Sequence, residues 1–198
     1  MTPAPVPVCP APSHNLVCES VSMSLPDLFR AALETAGEAV TPALGQADAR
    51  LLGDANDPQA LACKGALLVI LASTGMTEDR RLTYIPTGIS LMAEALMAGD
   101  PADAVLRWTA GMGLGTLPLD HGQAPVAMRL LEGAIADPAL MGWQRLHGLT
   151  MMAGLCQLAE QDSEARRYFS AAQAVDLVGA AHLFCVFMDR RNGGVVAP

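Results

Sequence analysis

The chain has 198 residues, 52% apolar and 16% charged, with aromatics at only 4% and a net charge of −8. That length suits one domain with a real core, and an apolar fraction rich in alanine, leucine and methionine but poor in β-branched runs points to an all-α fold. Lys64 is the single lysine and the arginines form scattered pairs, so no basic stripe exists to neutralise phosphates; DNA and RNA are not expected partners, and an anionic membrane surface is disfavoured.

Residues 1–23 carry prolines at 3, 5, 7, 10 and 12 and read as a disordered segment outside the fold. Arg30 is the first basic residue, so a secretion signal with a basic n-region is not expected. The most apolar run, 65–72, falls well short of the ~20 residues that span a bilayer. The expectation is a cytoplasmic protein without membrane insertion, its cysteines at 9, 18, 63, 156 and 185 reduced.

Ser24-Leu-Pro-Asp27 predicts the cap of a first helix running through Leu28, Phe29, Ala32 and Leu33. Thr41-Pro42 predicts a second start, with a capping hydroxyl and then proline in the first turn. Gly65, Leu68, Val69 and Ala72 fall at i, i+3, i+4 and i+7, one face of a helix over 58–74. A polar loop over 75–81 leads to a helix over 84–98. Asp100 is then expected to cap a helix over 101–115, with Pro101 at its first position. A loop around 118–122 precedes helices over 124–136 and 140–160. Asp162 is expected to cap a helix over 163–175, and a helix over 178–189 closes the set. Residues 24–191 thus form one helical-repeat domain, followed by a flexible tail over 192–198.

Three segments repeat one pattern. Pro86-x-Gly88-x3-Met92-x2-Ala95 returns as Pro125-x-Ala127-x3-Leu131-x2-Ala134 and as Ser163-x-Ala165-x3-Phe169-x2-Ala172. The starting positions lie 39 and then 38 residues apart (86 to 125, 125 to 163), the period range of helical-hairpin arrays. In this register the first hairpin has a loop longer by about two turns. The third unit, with Ala153 at the small position of its first helix and Ala165, Phe169 and Ala172 on its second, resembles a tetratricopeptide repeat. The resemblance covers residues 58–176 and is best over 146–176. It implies a short α-solenoid of about three antiparallel hairpins with N- and C-terminal flanking helices, and a role in holding a peptide or protein.

Candidate chemistry is sparse. Gly111-x-Gly113-x-Gly115 lacks the strand and spacing of a dinucleotide loop, so close helix packing is its expected role. Cys9, His14 and Cys18 match no zinc-finger spacing and fall in the N-terminal segment. His182-x2-Cys185, and His147 with Met151, place possible copper or zinc ligands one turn apart. Four converging ligands are normally needed, so no metal or other cofactor is expected, and His147, His182 and Cys185 stand as residual candidates. Asp120-His121 is the only adjacent acid–imidazole pair, and nothing pairs it with a nucleophile. The expected function is therefore a non-catalytic protein- or peptide-binding adaptor or chaperone. Its contacts are expected at Lys64, Arg107, Gln144, Arg145 and Gln157 on the first helices of the hairpins. Met97, Met112, Met141 and Met151 are candidates for a groove or interface. The alternative is a small-molecule- or metal-binding helical domain with a regulatory or enzymatic role. A homo-oligomer formed through the ends of the array is compatible with either.

Overall fold

The computed structural model describes residues 24–34, 39–73 and 77–191. The proline-rich segment, with Cys9, His14 and Cys18, and the tail over 192–198 lie outside them. Among the described residues the fold is all-α: α1 (Leu25–Glu34), α2 (Val40–Gly53), α3 (Pro58–Ser73), α4 (Glu78–Ala98), α5 (Ala104–Gly115), a 3₁₀ turn (Leu119–His121), α6 (Ala124–Ile135), α7 (Gly142–Leu158), α8 (Asp162–Val175) and α9 (Leu177–Arg191). No strand is found among them.

Burial divides the helices into two kinds. Helices α3, α5 and α7 are buried on nearly every side, as their continuous apolar sequences require. Helices α4, α6 and α8 bury a single stripe, and it is the repeated signature. Gly88, Met92 and Ala95, then Ala127, Leu131 and Ala134, then Ala165 and Ala172 are all buried, with Phe169 half-buried. Helix α3 packs on α4, α5 on α6, and α7 on α8. The buried helices also meet one another, α3 on α5 and α5 on α7, while α9 rests on α7 and α8, and α2 covers α3.

Several helix ends differ from the sequence reading, each for a local reason. The polar stretch expected as a loop over 75–81 is helical from Glu78, because Glu78 and Asp79 suit the positive end of a helix dipole. The extra length expected as loop between α3 and α4 is therefore largely helix. Asp103, not Asp100, caps α5: its Oδ1 accepts from Val105 N–H at 2.9 Å and Leu106 N–H at 3.0 Å. Asp100 instead closes the preceding turn by accepting from Ala102 N–H, which leaves Pro101 outside the helix. Thr41 lies inside α2 and caps nothing, since the helix begins at Val40. Asp162 is the first residue of α8, and its Oδ1 accepts from the Gln157 amide. Ser24 takes its expected place, accepting from Asp27 N–H at 3.4 Å.

Helices α3 and α4 touch backbone to backbone. A Cβ on Gly88 would stand 2.6 Å from the Gly65 carbonyl oxygen, and a Cβ on Gly65 would stand 2.6 Å from that of Gly88. Glycine at this crossing is required by space. Gly88→Ala is expected to lose about 1–2 kcal/mol in urea unfolding, because the overpacking cost exceeds the helix propensity gained. Gly45→Ala, on the exposed side of α2 with nothing within 4 Å, should gain about 0.5–1 kcal/mol in the same measurement.

Candidate functional site

The first helix is a lid of ten residues lying over the buried ones. Leu25, Phe29, Ala32 and Leu33 share one side of α1, and all four are buried. Near its start, Leu25 and Phe29 share a small pocket with Cys63 of α3, Trp108 of α5 and Gln144 of α7. Near its end, Leu33 faces Ile70 of α3, Met112 of α5, Met151 of α7 and Leu183 of α9. This one short helix packs on α2 and α3 and sends side chains to α5 and α7, Phe29 to Trp108 and Arg30 to Trp143.

Aromatic rings form a row beneath it. Phe29 meets Trp108 edge-on at 5.6 Å, Trp108 meets Trp143 at 5.2 Å, and Trp143 meets His147 at 5.8 Å, with interplanar angles between 84° and 88°. Edge-to-face geometry sets the positive rim of one ring on the negative face of the next. Trp108 is 1% exposed, and its indole N–H donates to the Gln144 carbonyl at 2.7 Å, which satisfies its only polar atom. The Arg30 guanidinium lies 5.5 Å over Trp143, and its Nε donates to Glu34 Oε1 at 2.9 Å.

His147 ends the row. Its ring is 5% exposed, its Nδ1 lies 2.8 Å from the Trp143 carbonyl, and its Nε2 has no hydrogen-bond partner. A carbonyl only accepts, so Nδ1 carries the hydrogen and Nε2 the lone pair. Burial lowers the imidazole pKa from its ordinary 6.5, opposed by the Trp143 carbonyl bond and by Glu34, whose Oε1 stands 3.5 Å from Nε2. The ring is neutral at pH 7. Beside it a cavity of about 80 Å³ opens, lined by Leu33, Ile70, Met112, Met151 and Leu183, with hydroxyls from Ser73, Thr116 and Thr150.

The residues expected to contact a partner are dispersed and engaged within the chain. The Lys64 ammonium reaches Asp48 Oδ1 at 2.7 Å. Arg107 and Arg145 come together at the turn before α7: one lies 4.0 Å from the Asp137 carboxylate, and the other donates to the Asp137 carbonyl at 2.7 Å. Gln144 is wholly buried and accepts from Met141 N–H at 3.2 Å. Gln157 is exposed and donates to Asp162. Of the metal candidates, His147 is buried under α1 while His182 and Cys185 are exposed on α9, and no group of three His, Cys, Asp or Glu side chains gathers among the described residues. Met112 and Met151 do line the cavity, whereas Met97 and Met141 are exposed elsewhere. Burial pushes the Cys63 thiol up to about 12 and raises that of Cys156, so neither supplies a thiolate at neutral pH. Asp120 and His121 are exposed in the 3₁₀ turn.

Sequence reasoning missed the aromatic row. Trp108 and Trp143 are the chain's two tryptophans, and the i, i+4 spacing of Trp143 and His147 was legible. The contact of Trp108 with Phe29 depends on where α1 folds back. No helix among the described residues is long and apolar enough to cross a membrane. No protein-family model, curated protein or solved structure matches this chain.

Trp108→Phe removes the donor to Gln144 and shrinks the buried ring, and urea unfolding should show a loss of about 1–3 kcal/mol. Because the folded-state pKa of His147 lies below its unfolded value, the unfolded chain binds more protons as pH falls through 6.5. Stability should therefore drop as pH falls from 7 through that value, and His147→Leu should flatten this part of the pH profile. In alkylation followed by peptide mass spectrometry, exposed Cys185 should react well before Cys63 and Cys156.

Proposed function

We propose that the chain is a non-catalytic adaptor or chaperone built as a short tetratricopeptide-like solenoid. In this reading α3–α4, α5–α6 and α7–α8 are three hairpins, α1–α2 and α9 flank them, and a peptide or protein segment docks on the face made by α3, α5, α7 and α9. One observation supports the proposal: α1, an amphipathic helix of ten residues, already lies over the buried helices, with Phe29 against Trp108 of α5 and Arg30 over Trp143 of α7. A surface that accepts one apolar helix through aromatic and methionine side chains has the chemistry to accept another. The antiparallel sense of the first pair supports the hairpin reading, since Gly65 faces both Gly88 and Met92 while Val69, one turn on, faces Gly88. The polar residues Lys64, Arg107, Gln144, Arg145 and Gln157 are then framework for that face, with apolar side chains supplying most of the contact.

A partner helix competes with α1, so weakening α1 should raise partner affinity in proportion to the fraction of open face. The test is selection from a library of helical peptides, followed by calorimetry on the wild type and on Phe29→Ala. We expect saturable binding, tightened by about tenfold in Phe29→Ala. Absence of any peptide or protein binder to either form refutes the adaptor reading.

A further inference from the structure

We propose that the cavity at the end of α1 is a site for a flat, uncharged aromatic ring, held by apolar contacts alone. The site lies at the Leu33 end of the lid and does not depend on the partner proposed above.

The wall supplies neither charge nor a free donor. No charged side chain lines the cavity among the described residues. Three hydroxyls border it, and each hydrogen is committed to its own helix. Thr150 Oγ1 donates to the Leu146 carbonyl at 2.8 Å, Thr116 Oγ1 to Gly113 at 2.7 Å, and Ser73 Oγ to Val69 at 3.0 Å. His147 borders it too, but its Nδ1 hydrogen goes to the Trp143 carbonyl. Its Nε2 lies 3.5 Å from Glu34 Oε1 and is closed to water-sized molecules, so the imidazole gives the cavity no polar handle. One water fills roughly 10–15 Å³ of such a volume, so a cavity of about 80 Å³ has room for several. Those waters would find hydroxyl lone pairs and nothing else to bond. Displacing such poorly held water with an apolar group favours binding.

The apolar wall narrows the class. Leu33, Ile70, Leu183 and Val186 form its aliphatic part. The Phe187 ring lies against Gly154 of α7, where a Cβ would collide with it, so this side of the cavity is fixed. Met112 of α5 and Met151 of α7 are the adaptable side. Benzene enters apolar cavities of roughly 150 Å³, so a ring requires these two side chains to swing aside, which their three rotatable bonds permit. Thioether sulfurs favour ring edges, and a fixed phenylalanine favours a second ring set edge-on or offset. An aromatic ring gains from both contacts, and a saturated ring from neither.

Toluene and methylcyclohexane, titrated calorimetrically into the full chain, separate these cases. The proposal expects one toluene per chain, bound about fivefold more tightly than methylcyclohexane. Val186→Phe, which fills the cavity from α9, should weaken toluene by at least about tenfold. In the wild-type protein, toluene should move the methyl resonances of Met112 and Met151 and leave those of exposed Met97 and Met141 in place. That readout decides the matter if Val186→Phe fails to fold. No saturable toluene binding, equal affinity for the two probes, unchanged binding in folded Val186→Phe, or unmoved Met112 and Met151 methyls overturns the proposal.

Discussion

Everything in this molecule depends on how closely other helices approach α5. Gly111, Gly113 and Gly115 are all buried, and each faces a different neighbour. A Cβ on Gly111 would stand 2.8 Å from Leu131 of α6; on Gly113, 2.6 Å from Ala66 of α3 and 2.7 Å from Met92 of α4; on Gly115, 2.9 Å from Met151 of α7. Interiors at crystal-like density transmit such constraints, because a displaced helix cannot be filled around at low cost. Trp108 lies one turn before Gly111 on the same helix, so this packing also fixes the ring against which Phe29 and Trp143 rest. The glycine triplet holds no phosphate. It is what allows one helix to serve as the hub of four.

The buried stripes of the outer helices were legible in the sequence, since spacing alone placed Met92, Leu131 and Ala172 inside. Close packing at Gly111, Gly113 and Gly115 was legible for the same reason. The start of α4 was not: Glu78, Asp79, Arg80 and Arg81 look like a loop by polarity, yet exposed charges are what the first turns of a surface helix carry. The start of α5 turned on which of Asp100 and Asp103 caps, two aspartates that propensity ranks equally. The candidate site was least legible. Its parts are separated by over a hundred residues, from Phe29 to Leu183, and only the return of α1 over the buried helices joins them.

That return also changes what kind of surface a partner would meet. The polar side chains that seemed suited to recognition are held by Asp48, Asp137 and Asp162, or are buried beneath Trp108, so they orient the framework. The apolar groups beneath α1 are the larger resource. A partner docking here would be recognised by shape and hydrophobicity first, with charged side chains secondary.

The central claim is that α1 occupies this face as a separable helix and not as part of the core. Native-state hydrogen exchange tests it directly. Amides of α1 should exchange through an opening well below the global unfolding free energy, while those in the middle of α3, α5 and α7 exchange only with global unfolding. Exchange of α1 at the same free energy as α5 would make it a core element and contradict the account.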